Sequence, residues 1–319
     1  MRRVRYYENG GPEVLRVEEA DVPGQPGPGE LLLRTEAVGV TLPVVRKVRE
    51  GGLPLPASLG GEVAGRVVAV GPGAEESGPH RFAVGDRVTG LCFGDGYADY
   101  SLLHSTMASP VPDGASATDA VALVRCGLVA LGAYEAARPA EGESVLVTAA
   151  ASGAGQLAVQ LARERGAGRI VGAVGSAAKA GFVRSLGADE VVTYEELTDL
   201  GTSAPVDVVL DAVGGELLPA AVAALAPGGR LVAYSSGGGT IEAYDLLVGA
   251  KSVIGFQMRL IARHRPELME RWRRELWELF AAGRLRARVH AELPLEDAAT
   301  AHEIIESRVN QGKVVLRPV

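Results

Sequence analysis

A cluster of small residues separates an apolar, strand-like run from a helical pattern in residues 145–166, VLVTAAASGAGQLAVQLARERG. The N-terminus of a helix carries unpaired backbone N–H groups and the positive end of the helix dipole, so a phosphate can bind there if no side chain blocks it. Gly153 and Gly155 match the first two glycines of the G-x-G-x-x-G fingerprint, and Ala158 stands at the third position, where alanine is tolerated. The motif predicts a pyrophosphate site, and a tight corner that needs small residues for packing alone is the alternative.

The next strand-like run ends in VGAVGSAAKAG and favours one of the two nicotinamide dinucleotides. A site that prefers NAD places an acidic residue about 20 residues past the glycines, where it binds the ribose 2′-hydroxyl. Here Gly175 and Ser176 occupy that place, and Lys179 follows one turn later. A hydroxyl and an ammonium group suit a 2′-phosphate, so the pattern predicts NADPH. The alternatives are an exposed helix lysine at Lys179 and, at the end of the following strand, a half-buried edge tyrosine at Tyr194.

The elements around these motifs alternate between apolar strands and helices from about residue 118 onward. Such alternation is typical of an α/β fold with a doubly wound parallel sheet and helices on both faces. Residues 1–115 contain short strand-like runs bounded by Gly and Pro, which predicts a second, mostly β domain. The closing segment, residues 287–319, has a strand–turn–helix–turn–strand pattern and is expected to complete that β domain.

Composition excludes several classes of function. The 319 residues are 47% hydrophobic with a net charge of −7, which predicts two ordinary domains and no nucleic-acid surface. The arginine-rich stretch 259–274 is interpreted as an amphipathic helix with a solvated face. We find no signal peptide and no apolar run near the roughly 18 residues that a membrane span needs. Two cysteines, Cys92 and Cys126, favour a reducing compartment, the cytoplasm.

Seven motifs, including the glycine corner already described, carry a resemblance to a known family: LGGEVAGRVVAVGPG, FAVGDRVTGL, GESVLVTAAASGAGQLAVQLAR, KAGFVRSLGADEVVTY, VDVVLDAVGG, LAPGGRLVAYSS and QGKVVL. Over nearly its whole length the chain resembles the zinc-independent quinone oxidoreductase branch of the medium-chain dehydrogenase/reductase superfamily, which includes zeta-crystallin and enoyl reductases. The resemblance implies a GroES-like catalytic domain over residues 1–117, a Rossmann dinucleotide-binding domain over 118–257 and a return to the catalytic domain over 258–319.

The resemblance also implies which residues hold the cofactor, NADPH. The pyrophosphate loop maps to Ser152, Gly153, Ala154 and Gly155, and the adenosine-phosphate site maps to Gly175, Ser176, Lys179 and Tyr194. The nicotinamide side maps to Thr41, Gly127, Leu128, Tyr234, Ser235, Ser236 and Asn310 to Lys313.

Zinc is not expected. Zinc-dependent members of the superfamily have a Cys and a His where this chain has Thr41 and Gly61, neither of which binds zinc, and the cysteines of a structural zinc lobe are missing. Without a Lewis acid to polarise a carbonyl, a conjugated acceptor is the easier substrate for hydride addition. The sequence therefore predicts an NADPH-dependent reductase of a quinone or an α,β-unsaturated carbonyl compound.

The residues next to the substrate depart from those of relatives. Relatives often have Asn in place of Thr41, Thr in place of Val129, and Tyr with a nearby Asp in place of Arg46 and Val44. Thr41 and Arg46 are the candidates for stabilising the developing enolate, and Tyr97 is a weaker candidate. Two alternatives stay open: a protein of this fold that binds the cofactor with little turnover, and an enoyl reductase of specialised metabolism with one elaborate substrate.

Residues 251–258, KSVIGFQM, predict an edge strand of the dinucleotide-binding sheet. An exposed apolar edge is an aggregation hazard unless it is covered or paired. Pairing with its own copy about a twofold axis would remove the hazard, so we expect a homodimer, as the resemblance also implies. The alternative is an edge covered by a helix of the same chain over residues 266–282.

Overall fold

Residues Met1–Arg125 and Ala287–Val319 form one unit of the structure, the β-rich unit, and Cys126–Arg286 form the other, the parallel-sheet unit. The structure is a computed structural model and describes residues 1–74, 80–234 and 237–318. The C-terminal return begins at Ala287, where the strand–turn–helix–turn–strand pattern also begins, whereas the resemblance implied residue 258; residues 258–286 lie in the parallel-sheet unit.

The helices and strands alternate along the chain much as the sequence patterns predict. The strands are β1 (Arg2–Tyr6), β2 (Arg16–Glu19), β3 (Glu30–Val40), β4 (Ala57–Ser58), β5 (Gly61–Val70), β6 (Arg87–Cys92), β7 (Tyr100–His104), β8 (Ala108–Pro110), β9 (Ser144–Val147), β10 (Arg169–Val174), β11 (Glu190–Thr193), β12 (Val206–Asp211), β13 (Leu225–Ala233), β14 (Ser252–Gly255), β15 (Val289–Pro294) and β16 (Lys313–Arg317). The α-helices are α1 (Leu42–Glu50), α2 (Ala117–Ala137), α3 (Gly155–Glu164), α4 (Ala180–Ser185), α5 (Leu197–Ser203), α6 (Leu218–Ala223), α7 (Ala243–Val248), α8 (Met258–His264), α9 (Pro266–Ala281) and α10 (Ala298–Glu306).

The β-rich unit is built on a seven-stranded sheet in the order β15-β16-β3-β5-β6-β8, in which β7 also pairs with β3. Three β-strands are central: Val40 of β3 pairs with Val314 of β16, and Gly39 pairs with Glu62 of β5. A smaller sheet, β2-β1-β4, completes the unit. This register brings the end of β3, the beginning of β5 and the beginning of β16 to the same end of the large sheet.

The parallel-sheet unit contains six parallel strands in the order β11-β10-β9-β12-β13-β14. The chain proceeds from β9 outward through β10 and β11, then returns to lie on the other side of β9. This reversal of strand order creates a switch point at the carboxyl ends of β9 and β12, where open α/β sheets bind ligands. The inner strands are almost continuously buried, as strands covered by helices on both faces must be.

Helix α2 corrects one expectation from the sequence. By length and composition, Ala117–Ala137 is apolar enough to cross a membrane, although the sequence analysis found no such run. In the structure 72% of the most apolar window of this helix is buried inside the protein. Burial in the protein core therefore accounts for its apolar character without a membrane.

Candidate functional site

The corner between β9 and α3 is too tight for larger residues. Ala149 adopts a left-handed conformation with φ of 48°. A Cβ on Gly155 would lie 2.1 Å from the carbonyl oxygen of Ala149, a distance that no side chain tolerates. Gly155, the second glycine of the fingerprint, is therefore required by the close approach of the helix to the loop.

The same corner presents free backbone donors. The Ser152 hydroxyl accepts the Gly155 N–H at 3.0 Å, and α3 begins without any other side-chain cap. The N–H groups of Gly153 and Ala154 donate to nothing in the parts of the chain that the structure describes, and both residues are half-buried. Donors at the positive end of a ten-residue helix fit a pyrophosphate.

A buried carboxylate holds this corner against the end of the neighbouring strand. Asp211 at the end of β12 accepts a hydrogen bond from the Thr148 hydroxyl at 2.8 Å and others from the N–H groups of Val213 and Gly214. The Thr148 hydroxyl in turn accepts the N–H of Ala212. Burial raises the pKa of Asp211 despite these three donors. Asp211 and Thr148 were not predicted from the sequence, although the second of the two acids in the run VDVVLDAVG, at the end of an apolar strand, was a usable signal.

The residues predicted for the adenosine phosphate lie together at the ends of β10 and β11. Gly175 and Ser176 are exposed, Lys179 is half-buried, and the Ser176 hydroxyl accepts the N–H of Ala178. A Cβ on Gly175 would lie 3.5 Å from the ring of Tyr194, so the tyrosine flanks this loop. The described residues thus bring a hydroxyl, an ammonium group and an aromatic ring to one edge of the sheet.

The other predicted residues of the parallel-sheet unit have different surroundings. Gly127 and Leu128 are buried in α2, where a Cβ on Gly127 would lie 2.8 Å from Leu276 of α9, so helix packing alone accounts for this glycine. The Tyr234 hydroxyl is buried and has no hydrogen-bond partner among the described residues, and burial raises its pKa. Ser235 and Ser236 lie outside the described residues.

In the β-rich unit, Thr41 follows β3 directly and precedes the first residue of α1. It occupies the N-cap position, yet its side chain makes no capping hydrogen bond, and it is half-buried. Arg46 lies on the second turn of the same helix and is also half-buried. The two catalytic candidates are thus placed on one short element, at the sheet end that also carries Asn310 and Lys313.

Beside Thr41 lies a buried ionic cluster that the sequence analysis did not identify. Glu62 pairs with the Lys313 ammonium through one carboxylate oxygen and with Arg125 at 2.8 Å through the other. Burial alone would raise the pKa of Glu62, but the two cations outweigh it and hold this pKa below its usual range. A Cβ on Gly39 would lie 2.7 Å from both the Glu62 carboxylate and the Lys313 side chain, so the pair packs directly over the end of β3. Lys313, assigned by resemblance to the nicotinamide side, is therefore held by Glu62.

Tyr97, the weaker catalytic candidate, is fully buried. Its hydroxyl lies 3.3 Å from Nε2 of His302 on α10, and the two rings meet edge to face. Burial raises the pKa of Tyr97 and lowers that of His302 to about 4. Tyr97 and His302 are thus placed as a neutral pair within the β-rich core.

The His302 pair predicts a specific loss of stability in mild acid. The folded pKa of about 4 lies below the ordinary 6.5, so the unfolded chain takes up the proton first as the pH falls. The stabilisation is complete above pH 6.5 and is lost between pH 6.5 and about 4, by about 3 kcal/mol at 1.4 kcal/mol per pKa unit. Urea denaturation from pH 7.5 to 4 checks this against His302→Gln, which should lack that part of the pH dependence. An equal loss of stability in the wild type and His302→Gln as the pH falls would contradict this prediction.

The described residues contain no group of three or more His, Cys, Asp or Glu side chains arranged to hold a metal ion. The positions expected to lack metal ligands are Thr41 and Gly61, and Gly61 lies beside the ring of Tyr97. Cys92 and Cys126 are buried and form no disulfide, and burial raises the pKa of Cys92 to about 11.

Two family models match the chain. The alcohol dehydrogenase GroES-like domain matches residues 27–115, and the model described as zinc-binding dehydrogenase matches residues 186–316. A quinone oxidoreductase of Pseudomonas aeruginosa is 32% identical over 99% of this chain and 99% of its own length. Quinone oxidoreductase 1 of Escherichia coli gives the same identity and coverage.

Solved structures share the whole fold. A mycobacterial protein in complex with NADPH superposes with a TM-score of 0.91 at 30% identity and covers 100% of both chains. The Escherichia coli quinone oxidoreductase in complex with NADPH superposes with a TM-score of 0.87 at 29% identity, again over 100% of both chains. The predicted fold class, a Rossmann-like parallel sheet with a mostly antiparallel GroES-like β domain, is confirmed.

Proposed function

The chain belongs to the quinone oxidoreductase group of the medium-chain dehydrogenase/reductase superfamily, and from that membership we propose that it is an NADPH-dependent, zinc-independent reductase of quinones or α,β-unsaturated carbonyl compounds. The observation that carries the proposal is the β9–α3 corner, where the N–H groups of Gly153 and Ala154, which donate to none of the described residues, adjoin the closely packed Gly155. Two structurally similar proteins bind NADPH. We also propose a cytoplasmic location, with which two buried cysteines that form no disulfide agree.

When bound, NADPH supplies a hydride to the electron-poor carbon of the acceptor. The chain's own contribution is to bind, to orient and to stabilise charge. In our proposal the Ser152–Gly155 corner holds the pyrophosphate, while the Thr41 hydroxyl, which does not cap α1, donates to the substrate oxygen on which negative charge develops. The Glu62–Lys313 pair holds the end of β3, and with it Thr41, in a fixed position.

Steady-state turnover with NADPH tests the proposal. We expect oxidation of NADPH by simple quinones or enones, unchanged by chelators, in protein that contains no zinc by elemental analysis. Thr41→Val should lower kcat, whereas Thr106→Val, at an exposed threonine of the same unit, should not. Tight NADPH binding without turnover of any acceptor would favour the cofactor-binding alternative, and turnover of only an elaborate enone would favour the specialised reductase. One tightly held zinc per chain would contradict zinc independence.

The cofactor preference gives a second test. We expect NADPH to bind more than tenfold more tightly than NADH, because a charge-assisted hydrogen bond to the 2′-phosphate contributes about 1.5–3 kcal/mol. Lys179→Gln should reduce this preference about tenfold. Arg184→Gln, at an exposed cation on α4, is the control and should leave the preference unchanged. Calorimetric titration with both cofactors measures it, and equal dissociation constants in the wild type would refute the assignment of Ser176 and Lys179.

We also propose a homodimer joined through β14. This strand is the last in its sheet, and Val253 on it is 37% exposed, which leaves apolar surface for a second copy; an edge covered by α9 is the alternative. Tyr244, Leu247 and Val248 of α7 are each about 70% exposed, an apolar surface that a second copy would bury. Light scattering during gel filtration should give a mass of twice the 33.0 kDa of one chain. Val253→Glu should lower the measured mass towards that of a single chain. A wild-type mass near 33 kDa at micromolar concentration would show that the proposal is wrong.

A further inference from the structure

Arg46 differs from the other half-buried arginines of the β-rich unit. Its guanidinium makes no ion pair and no hydrogen bond with the residues that the structure describes. The others each have an acceptor within 4.0 Å: Arg2, Arg3, Arg5, Arg87 and Arg125. Arg46 is therefore a partly buried cation whose nitrogens are not among the buried side-chain atoms that lack a partner, so an anion from outside the chain can reach it.

The nearest carboxylate along the helix does not pair with it. Glu50 lies four residues after Arg46 on α1, a spacing that brings side chains together on a helix surface, yet the two form no ion pair in the structure. Helical side chains generally lean towards the helix N-terminus, which favours the turn before Arg46, rather than Glu50, as the neighbour of this side chain. That preceding turn begins at Thr41. The next arginine on the helix, Arg49, pairs with Glu306 at 2.7 Å, so the environment of α1 does allow ion pairs.

We propose that Arg46 binds an anionic group of the substrate, and that the substrate is therefore an α,β-unsaturated carbonyl compound that also carries a carboxylate. This inference rests on the proposed function and refines its substrate class. The planar guanidinium forms two parallel hydrogen bonds to a carboxylate, which fixes orientation as well as affinity. Thr41 immediately precedes α1 and Arg46 lies on its second turn, so in this proposal one short element supplies the contacts to both the carbonyl oxygen and the carboxylate of the substrate.

A pair of matched substrates tests the proposal: 3-benzoylacrylic acid and its methyl ester. The measured quantity is the ratio of kcat/KM for the acid to kcat/KM for the ester, in which the differing reactivity of the two compounds cancels between variants. Arg46→Gln should lower this ratio at least tenfold, mainly through a higher KM for the acid. Arg46→Lys should recover part of it. Lys47→Gln, at the exposed cation next in sequence, should leave the ratio unchanged.

Two results would overturn the inference. A ratio that changes less than threefold in Arg46→Gln shows that Arg46 does not select a carboxylate, and an equal loss for both compounds assigns it to enolate stabilisation instead. If the wild type reduces neither compound, the proposed function fails separately. In that case, calorimetric titration of the NADPH-saturated protein with 3-benzoylpropionate tests the carboxylate site. Equal affinity in the wild type and Arg46→Gln would reject the site, and a tenfold difference in affinity would support it.

Discussion

Replacing Glu62 by glutamine is expected to destabilise the folded protein by about 3–5 kcal/mol, the usual result of removing one partner of a buried ion pair. Glu62 and Lys313 are only 2% and 3% exposed, so the lysine would keep its charge in a place that water does not reach. Arg125 is 33% exposed and can turn partly towards solvent, which is why the loss should come mainly from Lys313. Urea denaturation at pH 7.5 measures the effect.

The matched control is Glu36→Gln. Glu36 pairs with Arg66 at 3.3 Å on the surface of the same sheet, where a pair contributes about 0–1 kcal/mol. If Glu62→Gln does not yield folded protein, the double variant Glu62→Gln with Lys313→Met still tests the argument, because it removes both buried charges and should be more stable than Glu62→Gln alone. A cost for Glu62→Gln no larger than for Glu36→Gln would contradict the account.

The parts of the site that the sequence predicts are those encoded by adjacent residues. The β9–α3 corner depends on a single short run of residues. Within that run, position 155 needs glycine because a Cβ there would clash with the Ala149 carbonyl oxygen. The alternation of strands and helices around the corner is also encoded locally, because the apolar residues of each strand indicate that the strand is buried. The parallel sheet and its glycine corner were therefore both predictable.

The parts that it does not predict depend on distant residues. Glu62 and Lys313 are separated by 251 positions, and no local pattern connects them. Helix α1 was not predicted either, since Pro43 and the β-branched Val44 and Val45 favour other conformations. Pro43 is tolerated in the first helical turn, and the helix forms because Val45 and Val48 pack into the core of the β-rich unit. Burial of Val45 and Val48 in the core thus outweighs the weak helix propensity of this segment.

The domain boundary shows the same limit. The resemblance implied that the C-terminal return starts at residue 258, which would place helix α9 in that return. Its buried face instead packs within the parallel-sheet unit, where Cβ atoms on Gly127 and Gly132 of α2 would meet Leu276 and Trp272. Glycines in a helix interior signal that another helix approaches closely, but they do not identify which one.

Substituting Gly155 by alanine is expected to weaken NADPH binding about 100-fold, the largest functional effect that the corner predicts. The new Cβ would lie 2.1 Å from the Ala149 carbonyl oxygen, and because that atom is backbone, the loop itself must move by about 1 Å. A displacement of this size typically costs about two orders of magnitude where groups must be aligned. The loop carries the free N–H groups of Gly153 and Ala154, so these donors would leave the position that the pyrophosphate requires.

The control for Gly155→Ala is Gly181→Ala on α4. A Cβ on Gly181 meets no atom within 4 Å, so this variant should keep NADPH affinity and gain about 0.4–1 kcal/mol of stability from the lower entropy of the unfolded chain. Calorimetric titration gives the affinities, and circular dichroism shows whether Gly155→Ala stays folded. Wild-type affinity in a folded Gly155→Ala protein would mean that the corner packs the helix without binding phosphate, the alternative that the motif alone left open.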